Sequence, residues 1–116
     1  MYDAPVNLEL KAKMFRGFAD PTRLSILESL RSGEKTVNAI SDLIDQSQSN
    51  VSNHLSCLKE CGLVVSRREG KNMHYSIAST RVQRLLNVGD LILDEVGDRI
   101  CRCVRYNGQT SPTDFK

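Results

Sequence analysis

Cys57 and Cys61 lie four positions apart, and Cys101 and Cys103 form a second pair forty positions further on. Residues at i and i+4 of a helix share one side, so Cys57 and Cys61 can reach a single ion together. Thiolates are soft ligands that suit Cd(II) and Pb(II), with Zn(II) as a further candidate. The same atoms allow a second chemistry, a thiol-redox or persulfide switch joining a helix cysteine to a tail cysteine. The plainer reading is that these are free cysteines packed as small apolar side chains. A disulfide between Cys57 and Cys61 is disfavoured, because a helix does not bring the two Cβ atoms into bonding geometry. His54, one turn before Cys57, can be an auxiliary ligand or, more plainly, a side chain that hydrogen-bonds and packs against the next helix. His74 has less claim to a metal.

The segment that holds these thiols also has the residue types that read nucleic acid. Gln48, Ser49, Ser52, Asn53 and Ser56 give its exposed side short, uncharged hydrogen-bonding groups where a solvated helix normally carries Glu and Lys. Gln and Asn can address adenine through two hydrogen bonds, and Ser reaches bases or phosphates. Asn50 and His54 complete this candidate DNA-contacting set. Downstream, Arg67, Arg68 and Lys71 supply charge for phosphate contacts. The alternative is a polar helix and a solvated hairpin in some other small α+β domain.

Local patterns say which elements must position these groups. Leu8, Leu10, Met14, Phe15 and Phe18 give a first helix over about Val6 to Phe18. Asp20 and Pro21 read as an N-cap followed by proline at the first helical position, with Leu24, Leu27 and Leu30 as the buried stripe and Gly33 as the stop. Thr36 caps a short third helix with Val37, Ile40, Leu43 and Ile44 inward, and Asp45 to Ser47 form the turn into a fourth. Val51, Leu55 and Leu58 line one face of that fourth helix, which stops at Gly62. The stretches Leu63 to Arg68 and Met73 to Ile77 flank Glu69 to Asn72 as a β-hairpin with a basic tip. A last helix, about Thr80 to Ile100, carries Val82, Leu85, Leu86, Gly89, Leu93, Val96 and Ile100 at helical spacing, a long stripe for so small a chain. Two short helices followed by a hairpin make a winged helix-turn-helix, whose second helix enters the major groove. The fold class is therefore mainly α with a small β-hairpin, α+β.

Composition narrows the function classes. The 116 residues fit a single domain, 1–116, with a core of about 10–100 small enough to gain from a partner subunit, and a cysteine-containing tail over 101–116. Hydrophobic residues make up 40% and charged residues 26%, as in ordinary globular proteins, and no apolar run resembles a membrane span or signal peptide. A cytoplasmic location follows, and cysteines there are more often ligands or reactive thiols than structural disulfides. The net charge of +2 is localised. Residues 46–75 hold Lys59, Arg67, Arg68 and Lys71 against Glu60 and Glu69, while the rest of the chain is balanced. No nucleophile–base pair, phosphate-cradling glycine loop or carboxylate dyad stands out, so an enzyme is not expected.

Four blocks resemble the ArsR/SmtB family of winged-helix metal-sensing repressors. They are Phe18 to Leu27, Ser49 to Ser56, Leu58 to Val64, and the wing Arg68 to Tyr75, in order and at matching intervals. The resemblance covers about residues 10 to 100. It implies a homodimer paired through the first and last helices that binds palindromic operator DNA and lets go when metal binds. Two of the family's metal sites lack their ligands here: the third helix has no cysteine, and the last helix offers Asp90, Asp94, Glu95 and Asp98 without histidine. What remains resembles the cadmium- and lead-sensing branch, with two thiolates from the recognition helix at Cys57 and Cys61 and a further one from Cys101 or Cys103. The expected function is a metal-responsive repressor released by Cd(II) or Pb(II). The rivals are a thiol-redox or persulfide-responsive repressor of the same fold and a structural-zinc interaction protein.

Overall fold

The computed structural model describes residues 4–102. Its elements run α1 (Ala4–Ala19), α2 (Pro21–Ser29), β1 (Lys35–Thr36), α3 (Val37–Ile44), α4 (Gln48–Glu60), β2 (Val64–Glu69), β3 (Asn72–Ile77) and α5 (Thr80–Arg102). The chain divides after Gln83 into two compact units. The first holds α1 to β3, and the second holds most of α5.

Side-chain caps set the helix starts. The Asp20 carboxylate accepts from the Arg23 amide at 2.9 Å, and Pro21 opens α2. Thr36 Oγ1 accepts from the Ala39 amide at 3.2 Å, and Ser47 Oγ from the Asn50 amide at 3.1 Å. Each supplies one of the helix's otherwise unpaired N–H groups with a partner. Between α3 and α4 the backbone turns through Asp45 in the left-handed region, φ 57°, which Asp tolerates better than most residues. The Ser41 hydroxyl, donating to the Gln46 carbonyl, and the Gln46 amide, donating to the Ser41 carbonyl at 3.2 Å, brace that turn.

Helix α4 ends in a Schellman motif. The Leu63 amide donates to the Leu58 carbonyl at 2.9 Å and the Gly62 amide to the Lys59 carbonyl at 3.0 Å, with Gly62 at φ 81°. Leu58 and Leu63 are both buried, so the motif anchors the helix end and aims the chain into β2. The hairpin that follows has a two-residue turn, Gly70 and Lys71, between the paired residues Glu69 and Asn72. Gly70 at φ 63° is the residue type this turn position demands. A two-residue strand not foreseen from the pattern, β1, joins the other edge of β3 through Lys35 opposite Tyr75 and Thr36 opposite His74. The sheet order is β1-β3-β2, antiparallel throughout.

The core of the first unit is built from Ile26, Leu27, Leu30, Ile40, Val51, Leu55, Leu58, Leu63 and Val64. Helix α2 touches α1, α3 and α4, and α4 leans on β2. Val51, Leu55 and Leu58 are inward as expected, giving a winged helix-turn-helix. Two expected core positions are not inward. Leu24 is 36% exposed and Leu43 62% exposed, while Ile26, left out of the expected stripe, is fully buried. Helices of nine and eight residues bury one narrow face, and Leu24 and Leu43 fall about 100° off its centre. Helix α2 also ends before Gly33, capped at Leu30.

Two helices present apolar side chains to the outside. On α1 these are Leu8, Leu10, Met14 and Phe15; on α5 they are Val88, Leu91, Ile92 and Leu93, with Leu86 the buried residue of that helix. Of the stripe expected on α5, Leu86 is buried, Val82, Leu85, Gly89, Val96 and Ile100 are half-buried and Leu93 is exposed; the exposed Val88, Leu91 and Ile92 lie outside that stripe.

Candidate nucleic-acid interface and thiol pair

Winding α4 at about 100° per residue separates three surfaces. Val51, Leu55 and Leu58 fill the inner one. Gln48, Ser49, Ser52, Asn53 and Ser56 are all exposed on the opposite one, a strip of short amide and hydroxyl groups with no carboxylate in its first turn. Asn50 is half-buried and donates from Nδ2 to Gln46 Oε1 at 2.8 Å, so this amide belongs partly to the entry of the helix. The third surface, a flank, carries Asn50, His54, Cys57 and Cys61.

On that flank His54 is half-buried, and its Nδ1 accepts a hydrogen bond from Arg23 Nε at 3.3 Å. The imidazole ties α2 to α4 as an acceptor, with its Nδ1 lone pair already used. Cys57 is half-buried and Cys61 exposed, both as free thiols. The Cys61 amide donates to the Cys57 carbonyl at 3.0 Å, so the two residues are held one helical turn apart by the helix's own ladder. They open on a groove of about 430 Å³ between α1 and the end of α4. Leu10, Met14, Leu58 and Leu63 give it apolar walls, and Lys13, Arg16 and Arg23 line the same groove as the two cysteines. Such surroundings can balance the negative charge of metal-bound thiolates. Cys101 is half-buried near the end of α5, and Cys103 lies outside the described residues. Among the described residues, no three His, Cys, Asp or Glu side chains gather within one chain as a metal site.

The wing presents its cations unequally. Arg68 and Lys71 are exposed and form no ion pair among the described residues. Arg67, expected to hold phosphate, is engaged by carboxylates: its Nε donates to Glu34 Oε2 at 2.8 Å, its Nη2 to Glu34 Oε1 at 2.5 Å, and its Nη1 lies 2.7 Å from Glu69 Oε1. The hydrogen bonds from Arg67 hold the Glu34 carboxyl below its ordinary range, and the Arg67 guanidinium is pushed further up by Glu34 first and Glu69 second. His74 stands beside this group, with Nδ1 3.9 Å from Glu34 Oε1. Sequence reasoning missed Glu34, whose position in the loop before β1 becomes meaningful only once β1 is paired to the wing.

Residues 20–66 match the family described as bacterial regulatory protein, arsR family. A probable mercury resistance operon repressor from Streptomyces lividans is 38% identical over 98 residues, 84% of this chain and 78% of that protein. Among solved structures, the homodimeric winged helix-turn-helix DNA-binding domain of a possible ArsR-family regulator from Mycobacterium bovis superposes with a TM-score of 0.75 at 33% identity, covering 85% of this chain and 93% of that one. The cadmium metal-sensor CmtR from Mycobacterium tuberculosis matches with a TM-score of 0.58 at 42% identity, covering 66% of this chain and 79% of that one.

Proposed function

Because the chain belongs to the arsR family of bacterial regulatory proteins, and so is a DNA-binding transcriptional regulator, we propose that it is a homodimeric repressor released from its operator by a thiophilic heavy-metal ion. One observation carries the reading: α4 bears an exposed strip of short amide and hydroxyl groups on one side and a paired thiol flank on another. An ion bound at the flank therefore acts on the helix that reads the bases.

In the metal-free state Gln48, Ser49, Ser52 and Asn53 enter the major groove, with Asn50 and His54 supporting the helix, and Arg68 and Lys71 hold phosphates from the wing. Cys57 and Cys61 then take Cd(II) or Pb(II), which their soft sulfur donors suit, and Cys101 or Cys103 supplies a further thiolate. The likeness to a cadmium sensor and to a mercury operon repressor supports a soft metal as inducer. The uncovered apolar residues of α1 and α5 support pairing of two chains through these helices, as does the homodimeric relative. A metal that restrains the C-terminal turn of α4 reorients the two recognition helices relative to half-sites about one DNA turn apart. Couplings of this kind are about 1–3 kcal/mol, roughly 5- to 150-fold in affinity, and linkage requires DNA to weaken metal binding by the same factor. Such a regulator works where the DNA is, in the cytoplasm.

The exposed thiol of Cys61 beside Lys13 and Arg16 favours a second reading, in which oxidation or persulfidation of the same flank releases DNA. One experiment decides between the two. Operator binding is followed by anisotropy on duplex from upstream of the chain's own gene, with Cd(II) or with peroxide and persulfide under metal-free conditions. Release by Cd(II) alone supports the metal reading; release by oxidant alone supports the other.

A further inference from the structure

Arg67 sits on β2 where a phosphate-facing cation belongs, yet its guanidinium is already clasped. Glu34 takes two of its N–H groups in a fork, and Glu69 takes a third nitrogen from the tip side. The two carboxylates come from different places: Glu69 ends β2, whereas Glu34 lies in the loop before β1. Strand pairing brings them together, because Arg67 lies opposite His74 and His74 opposite Thr36. With His74 neutral, the cluster has one positive and two negative charges. A phosphate approaching it meets net repulsion, and could take the Nε–Nη2 edge of Arg67 only by displacing a bidentate carboxylate, the stronger class of charge-assisted pairing. Among the described residues, nothing comparable restrains Arg68 or Lys71.

We propose that Glu34 is an affinity-setting residue of the wing, which withholds Arg67 from the DNA backbone and so limits the grip of the repressor to a strength that the metal can undo. The inference rests on the wing facing phosphate in the proposed function. The metal weakens operator binding by a fixed factor, so any added phosphate contact raises the metal-bound affinity along with the metal-free one and leaves more repressor on DNA. The clasp is retained at neutral pH, since its hydrogen bonds keep Glu34 ionised. Glu34 and Arg67 are both substantially exposed, so replacing them leaves the core intact.

The test is a double-mutant cycle on the full chain, with affinities for an upstream duplex and a scrambled duplex measured across a salt series. Glu34→Gln is expected to bind both duplexes several-fold more tightly, with the slope of log K against log salt steeper by about 0.9, one more phosphate contact. Arg67→Ala is expected to keep the wild-type slope, and Glu34→Gln in the Arg67→Ala background to add nothing. An unchanged slope in Glu34→Gln overturns the proposal, as does weaker binding, which would make Glu34 a positioning residue for Arg67 on DNA. A steeper slope that persists without Arg67 also overturns it, by reducing the effect to bulk charge. If the wild type binds neither duplex, the proposed function falls and this inference falls with it; if the wild type binds and the cycle is flat, only this inference falls.

Discussion

The two outer surfaces of α4 differ in what they touch. The polar face, Gln48, Ser49, Ser52, Asn53 and Ser56, is open to solvent, whereas the flank with His54, Cys57 and Cys61 faces other parts of the chain through Arg23 and the groove beside α1. The first surface is left available to a large partner, and the second is wired to the protein. A single rigid helix, pinned by Val51, Leu55 and Leu58 and closed by a Schellman motif, joins them. In the proposed function, separation of the surfaces allows DNA reading and effector sensing to be changed independently, and the shared backbone allows one to influence the other.

The largest way to break this comparison is to remove what the surfaces share. Leu55 is completely buried, and Leu55→Ala is expected to destabilise the fold by about 2–5 kcal/mol and impair both surfaces; a denaturant melt checks this. Next, Asn53→Ala should cost about 1–3 kcal/mol of operator affinity if it makes a bidentate base contact, while leaving Cd(II) affinity of the DNA-free protein unchanged. Anisotropy and metal titration on the same preparation would show it, and equal loss in both would merge the two surfaces. Ser47→Ala removes the cap of α4 and should lower stability by about 1 kcal/mol, with a small loss of DNA binding and none of metal binding. Smallest is Lys71→Ala, which should flatten the salt dependence of binding to any duplex by about 0.9; an unchanged slope removes Lys71 from the phosphate contacts.

Features encoded over a few residues were legible before the structure was known. The caps at Asp20 and Thr36, the turn over Asp45 to Ser47, the stop at Gly62, the inward stripe of α4 and the hairpin around Gly70 each depend on neighbours within a turn or so. What escaped depends on contacts across the chain. The strand β1 is two residues long, too short for alternation to show, and exists because β3 offers it a free edge. Arg67 and Glu34 are 33 positions apart, and Arg23 and His54 are 31 apart. Residue type alone marked Arg67 as a phosphate ligand, and His54 as ligand, base contact or packing group. Folding shows the partner each has: two carboxylates for Arg67 and a guanidinium for His54. Leu24 and Leu43 were misjudged for a related reason, since on short helices a spacing of three to six residues fits more than one face.

The placing of the two thiols on one flank of α4 was legible from their spacing. Cys57 and Cys61 have the expected one-turn relation on α4, and the groove with its three cations is a surrounding that spacing did not reveal. The most direct measurement is a Cd(II) titration of the full chain bound to a fluorescent upstream duplex, reading ultraviolet thiolate-to-metal absorption and anisotropy together in the wild type, Cys57→Ser and Cys61→Ser. The wild type is expected to gain thiolate absorption as it leaves the DNA, and each variant to bind the duplex normally but stay on it with that absorption weakened. Release by Cd(II) of either serine variant, with wild-type midpoint, would contradict it.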